Sequence, residues 1–297
     1  MSLPSSDSPI VKFSSASLGG IGGWCVVHPF NSMAVRSSLA TTSGTTFSLS
    51  AVLKNEGVLS LYAGLPAGCY RQLVYAGARF GLYEEFRDRL EAIRGKTDFA
   101  SRLLTGGTAG GIAAYLSCPM EVTVVRMSND ASLPPSDRRN YKGVSDAFSR
   151  IIKEEGITAF WRGSTPFVQR AMMVGCFQVA TYDELKNTYV KLLGQTKNSI
   201  QNVFCSAMTS GLIYSLATMP LESAKNRMAG QKPGPDGSLP YTGSLQTISK
   251  VIKSEGIRGL YKGYLPYYLR CGGHTVSMFI LVQAIRDKYE EVIKETP

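Results

Sequence analysis

The chain has 297 residues, a net charge of +10 and a mean hydropathy of −0.02. Length alone allows two soluble domains, but six single cysteines with no Cys-x-x-Cys pair argue against a disulfide framework or zinc site, and two histidines with no phosphate loop or Ser-His-Asp motif argue against an enzyme. The basic excess lacks any zinc spacing, basic-region heptad or RNA-binding aromatic motif, so anionic lipid is the better partner and nucleic acid is not expected.

In chain order, residues 1–12 read as a tail, and the first 35 residues contain no arginine, so an Arg-rich transit peptide is not evident and targeting would be internal. Repeat 1 (13–95) opens with Phe13 to Val35, free of Asp, Glu, Lys and Arg, with small residues Gly19 and Gly23 at helix-packing spacing and Pro29 as a kink site. A surface helix then runs from near Gly44 to Glu56-Gly57, and a Tyr62-Ala63-Gly64 turn leads into a second long helix. Repeat 2 (96–195) runs the same way through Leu103 to Met120, a surface helix after Gly143, Glu155-Gly156 and Trp161-Arg162-Gly163. Repeat 3 (196–297) follows with Asn198 to Leu221, Gly243, Glu255-Gly256 and Tyr261-Lys262-Gly263. The landmarks recur at spacings of 99 and 100, and each charge-free stretch suffices for a membrane-spanning helix of about 20 residues. Two spans per repeat make six. A soluble helical array is the alternative, but its usual repeats of about 34–47 residues do not match this period.

Arg71, Arg170 and Arg270 share one register in the second helices, so threefold packing brings them to one level. Positions i, i+4 and i+8 lie on one helical face, giving the rows Arg71-Tyr75-Arg79, Arg170-Val174-Gln178 and Arg270-His274-Met278. From Gly57 to Tyr83, Gly156 to Tyr182 and Gly256 to Arg286 the intervening residues contain no acid. Buried arginines without partners point to an anion site whose counter-charge arrives with the substrate, snorkelling being the other reading. Several converging guanidinium forks favour a dianion over a monoanion. His274 has two readings, a substrate hydrogen bond and helix packing.

Pro220-Leu221-Glu222-Ser223-Ala224-Lys225-Asn226-Arg227, with its weaker copies after Pro29 and Pro119, resembles the signature of the mitochondrial carrier family. Within it, the segments Arg71-Gln72 to Tyr83, Pro119-Met120-Glu121-Val122 and Pro266 to Val276 are similar to those of the 2-oxoglutarate/malate carriers. The resemblance implies an all-α membrane protein: six transmembrane helices in three pseudosymmetric repeats, each with a short matrix-side surface helix. It would be a multi-pass monomer of the inner mitochondrial membrane, exchanging small dicarboxylates or keto acids by alternating access without a cofactor. It also implies a matrix gate at Asn31, Ala34, Glu121, Val124, Glu222 and Lys225, in which only Glu121 with Lys225 survives as an ion pair in the family's pairing order. The cytoplasmic gate would comprise Glu84, Arg87, Asp183, Lys186, Gln283 and Arg286. Cardiolipin is expected at two grooves, one built on Gly143, Arg162 and Gly163 and the other on Gly243, Lys262 and Gly263. In repeat 1, Thr42-Ser43-Gly44 and Ala63 depart from those motifs. The departure keeps open a second class, a non-transporting accessory or lipid-bound subunit of a larger complex.

Overall fold

The computed structural model describes residues 8–40, 47–95, 99–133, 137–194, 196, 199–232, 236 and 238–295, and the regular structure among them is helical. Repeat 1 comprises α1 (Pro9–Ala40), α2 (Leu49–Asn55) and α3 (Leu65–Arg94); repeat 2 comprises α4 (Phe99–Asp130), α5 (Val144–Glu155) and α6 (Ser164–Leu193). Repeat 3 comprises α7 (Ile200–Gly230), α8 (Ser244–Glu255), the single turn α9 (Ile257–Leu260) and α10 (Tyr264–Glu295). The long helices, of 30–32 residues, are each roughly 45 Å long. They form a closed ring in which α1 packs on α3, α3 on α4, α4 on α6, α6 on α7, α7 on α10 and α10 back on α1. At the last seam, a methyl group on Gly19 would lie 2.4 Å from Val282, so the small residues of α1 are what let α10 approach.

The repeated glycines have a backbone cause. Gly57, Gly156 and Gly256 end the short helices at φ of 78°, 81° and 73°, and Gly64, Gly163 and Gly263 open the second long helices at 83°, 86° and 80°. Both sets lie in the left-handed region where a side chain is disfavoured. The glutamates before the first set have a different task. Arg36 meets Glu56 at 2.8 Å, Arg126 grips Glu155 at 2.6 and 3.0 Å, and Arg227 grips Glu255 at 2.6 and 3.0 Å. The arginine seven residues after each repeat's proline, Arg36, Arg126 and Arg227, and the glutamate of the Glu-Gly landmark are thus two halves of one ion pair. Arg36 Nε also donates to the Ser128 carbonyl at 2.8 Å, and Arg126 Nε to that of Ala229 at 3.1 Å, tying repeat 1 to repeat 2 and repeat 2 to repeat 3.

Two expectations need adjustment. Of the described helices only α7 is apolar enough by length and composition to cross a bilayer. The charge-free stretches of α1 and α4 are rich in Gly, Ser and Thr, which dilute hydropathy without adding charge. The surface helix of repeat 1 begins at Leu49, and its expected start at Gly44 lies outside the described residues. Polarity is nonetheless inverted relative to a soluble bundle: Leu18, Leu104, Tyr115, Leu116, Phe204 and Leu216 are exposed, while Arg36, Glu121, Arg126, Glu222, Lys225 and Arg227 are buried.

Candidate functional site

The ring's second helices bring Arg71, Arg170 and Arg270 to the middle of the bundle, where they meet the acids of the proline helices. Arg71 Nε lies 3.3 Å from Glu121 Oε2, Arg170 Nε 3.2 Å from Glu222 Oε2, and Arg270 Nη2 3.6 Å from Glu222 Oε1. Lys225 Nζ bridges the two acids, bonding Glu121 Oε1 and, at 2.8 Å, Glu222 Oε1. The expectation of arginines without acidic partners is therefore corrected. Their own helices do lack acids, but the partners come from α4 and α7. Arginine site and proline-end charges form one cluster, not two layers.

The pairing follows the pseudosymmetry until it runs out of acids. Arg71 of repeat 1 takes Glu121 of repeat 2, and Arg170 of repeat 2 takes Glu222 of repeat 3. For Arg270 the next acid position is Asn31, so Arg270 shares Glu222. Four cations thus face two carboxylates, a surplus of two positive charges in a buried setting. The Nε atoms of Arg71, Arg170 and Arg270 and the Nδ2 of Asn31 are buried without hydrogen-bond partners among the described residues. Ion-pair proximity without a hydrogen bond leaves donors for another acceptor.

Aromatic faces support the cations: Arg71 lies 4.4 Å from the Trp24 ring centre, Arg170 5.7 Å from Phe167 and Arg270 4.8 Å from Tyr267. Arg79 carries no ion pair among the described residues; its guanidinium sits 5.9 Å from Tyr75, which packs against the cluster of Ala114, Cys118, Phe167 and Ala171. His274 Nε2 lies 2.8 Å from the Gln72 amide and 3.3 Å from the Gly20 carbonyl, at the junction of α1, α3 and α10. Its Nε2 is thus engaged in packing those helices together. The Gln178 side chain lies outside the described residues. The sequence reading passed over Trp24, Gln72, Phe167 and Tyr267. Phe167 and Tyr267 could have been found, since both stand three residues before the central arginine.

Ala34 and Val124 contribute packing where repeat 3 has Lys225. Ala34 sits among Tyr214, Met219, Tyr267 and Cys271, and Val124 among Trp24, Val27 and Ala67. At the opposite end, Arg87 pairs with Asp88 at 2.8 Å, Gln283 donates to Asp287 at 2.8 Å and Arg286 reaches Ser15 at 3.5 Å. Arg87, Gln283 and Arg286 thus each bond a residue outside the expected gate set. Glu84 is half-buried and Lys186 is buried 5.7 Å from Phe279; the Asp183 side chain lies outside the described residues.

The turn bases also have internal partners. Arg162 bonds Glu155, and Lys262 lies 3.5 Å from Glu255. Gly143 and Gly243 open the helices that those glutamates end, and a 12-residue helix spans about 18 Å. Each expected groove is therefore split between opposite ends of a surface helix. Gly143 is flanked by Val144, which packs against the cluster of Trp24, Val27, Ala67 and Val124. Around Glu155, burial works to raise the pKa, but the hydrogen bond and charge of Arg126, then the charges of Arg162 and Arg139, outweigh it and hold the carboxyl below its ordinary range.

A family model described as mitochondrial carrier protein matches residues 5–93, 95–193 and 196–292. Among curated relatives, the mitochondrial 2-oxoglutarate/malate carrier protein of Caenorhabditis elegans is 38% identical over 290 residues, covering 96% of this chain and 94% of its own length. The proteins of that name from Mus musculus and Homo sapiens are each 35% identical over 297 residues, covering 97% of this chain and 94% of theirs.

Proposed function

From the chain's membership of the mitochondrial carrier family, we propose that it is a multi-pass antiporter of the inner mitochondrial membrane, exchanging 2-oxoglutarate for malate or a similar dicarboxylate. One observation carries the substrate charge: Arg71, Arg170, Arg270 and Lys225 exceed Glu121 and Glu222 by two. A dianion neutralises that surplus, and guanidinium forks take carboxylates in bidentate geometry. The names of the relatives point to the same substrate class. The protein acts as a transporter and needs no cofactor, and no reaction is assigned to it.

The proline end is the matrix side in this reading, and the buried cluster closes it while the other end is open. A dicarboxylate entering from the cytoplasm competes with Glu121 and Glu222 for the arginines. Displacing them loosens the bridge through Lys225 that holds α4 to α7, and the matrix side parts. Exchange is favoured over one-way passage because the empty site carries two uncompensated charges through the transition, whereas the loaded site is neutral. Lipid belongs to the same proposal. Cardiolipin phosphates meet the backbone N–H groups at Gly143 and Gly243, where the surface helices α5 and α8 begin.

Reconstitution in liposomes with labelled 2-oxoglutarate, malate, phosphate and ADP tests the reading. The expected result is exchange of the two dicarboxylates only. A folded protein that exchanges none of the four would move the assignment to the accessory-subunit class.

A further inference from the structure

Three residues before the central arginine, repeats 2 and 3 carry Phe167 and Tyr267, and each ring lies against the arginine of its own helix, 5.7 and 4.8 Å from the guanidinium carbon. The matching position in repeat 1 is Gly68. Its vacancy is filled from another helix. Trp24 of α1 is 3% exposed and lies 4.4 Å from the Arg71 guanidinium, the shortest of the three contacts. A methyl group on Gly68 would sit 1.9 Å from the indole nitrogen and 2.7 Å from the adjoining ring carbon. Glycine is thus the slot and the indole the insert.

We infer that Trp24 is a positioning residue for Arg71, delivered by α1 to the place that Phe167 and Tyr267 occupy under the other two arginines. This rests on the reading of the arginine cluster as the dicarboxylate site. A ring face attracts the guanidinium without using any of its N–H donors, so the fork stays available to a carboxylate. The indole is fixed in turn by edge contacts to His28 at 5.5 Å and His274 at 6.4 Å. His274 is held by Gln72, the residue after Arg71. Residues of α1, α3 and α10 therefore converge on one side chain, whose own indole N–H is buried without a hydrogen-bond partner among the described residues.

The source of the ring matters for the transport cycle. Phe167 and Tyr267 ride with their arginines, so their contacts survive any movement of whole helices. Trp24 and Arg71 ride on different helices. Their contact lasts only while α1 and α3 stay packed, and Arg71 alone among the three loses its platform when those helices part.

A swap tests the assignment in liposomes, with KM, maximal exchange rate and thermal unfolding measured for each variant. Trp24→Ala is expected to raise the dicarboxylate KM by about fivefold to thirtyfold, the range of a desolvated cation–π contact, with a smaller change in maximal rate. Gly68→Phe alone puts two rings in one slot and should abolish exchange. The double variant Trp24→Ala/Gly68→Phe rebuilds the arrangement of repeats 2 and 3 and should bring KM back toward the parent value. A second readout serves if Trp24→Ala does not fold. Trp161 is the other tryptophan, and Tyr62 and Tyr261 occupy its related positions, so Trp161→Tyr leaves Trp24 as sole reporter. Its emission should respond saturably to 2-oxoglutarate, and the response should vanish in Arg71→Ala. An unchanged KM in Trp24→Ala, a double variant no better than it, or a silent Trp24 in protein that 2-oxoglutarate stabilises overturns the inference. If Arg71→Ala itself exchanges normally, the central-site reading falls and takes the inference with it.

Discussion

Repeat 1 and its two siblings share a backbone but not a charge pattern. All three set glycine at the end of the short helix and at the start of the second long one, and all three bury a proline-helix arginine against the Glu of the Glu-Gly landmark. Yet Asn31 stands where Glu121 and Glu222 do, Ala63 where Arg162 and Lys262 do, and Gly68 where Phe167 and Tyr267 do. Ala34 and Val124 leave Lys225 alone at the third position after the acid. Backbone geometry is thus maintained repeat by repeat, because a ring cannot close with one misshapen third. Charge is maintained only as a sum, because a central cluster is shared by all three.

The largest test of that sharing is loss of a central cation. Arg71→Ala, Arg170→Ala and Arg270→Ala should each lower dicarboxylate exchange by about a hundredfold or more, the scale of losing a buried charge-assisted contact. The fold should survive, since Glu121 and Glu222 keep Lys225 in every case. Initial exchange rates beside thermal unfolding separate the two effects, and near-normal exchange by Arg270→Ala would break the threefold assignment.

Acids should be less forgiving than bases, and unequally so. Glu222→Gln leaves Arg170 and Arg270 with no carboxylate, whereas Glu121→Gln strands only Arg71. Breaking a buried pair by removing one partner costs about 3–5 kcal/mol, so Glu222→Gln should unfold at the lower temperature. Added 2-oxoglutarate should recover more of the loss in that variant, because binding to the native state stabilises it. Equal melting temperatures would mean that Arg270 does not depend on Glu222. The converse change, Asn31→Asp, offers repeat 1 the missing acid. It should stabilise the closed proline end while raising the dicarboxylate KM severalfold, since the surplus falls by one charge; a lowered KM would contradict the charge count.

Much of this was legible in residues whose role is local. The glycines at 57, 156 and 256 and the register of Arg71, Arg170 and Arg270 need only the chain's own periodicity. Partners of the arginines were not legible within a repeat, because Glu121 and Glu222 reach them across the seams between α3 and α4, α6 and α7, and α7 and α10. Nearness in sequence does not show that Gly143 and Arg162, or Gly243 and Lys262, stand at opposite ends of a surface helix. Trp24 carried no periodic signal, since only Gly68 marks its place.

A smaller contrast concerns the landmark acids. Glu155 has Arg126 and Arg162 in contact and Arg139 at 3.9 Å, whereas Glu56 has Arg36. Glu155→Gln should therefore cost more stability than Glu56→Gln, by about 1–2 kcal/mol from one added charged hydrogen bond. The pH dependence has a definite sign. The folded carboxyl of Glu155 titrates below the unfolded value of about 4.3. Its contribution is complete above that value and is lost as pH falls through the depressed folded pKa. Thermal unfolding of the parent against Glu155→Gln should show a difference that is constant from pH 7 to about pH 5 and shrinks below about pH 4. A difference that grew on acidification would invert the assignment.

The smallest expected change is a gain. Ala63 has φ −57° and ψ 128°, close to the −65° and 118° of Arg162, so the repeat 1 turn already has the backbone that presents a base to the landmark acid. Its carbonyl accepts from His28 at 3.0 Å and from Ser128 at 3.1 Å, and a new side chain disturbs neither bond. Ala63→Arg should place a second cation beside Glu56, whose side chain is 20% exposed. Partial exposure caps the benefit near that of a surface pair, about 0.2–1 kcal/mol, or a rise in melting temperature of about 1–3 °C. The gain should disappear in the Glu56→Gln background. A gain that persists there would have to come from helix capping or lipid, and repeat 1 would then differ from its siblings in more than charge.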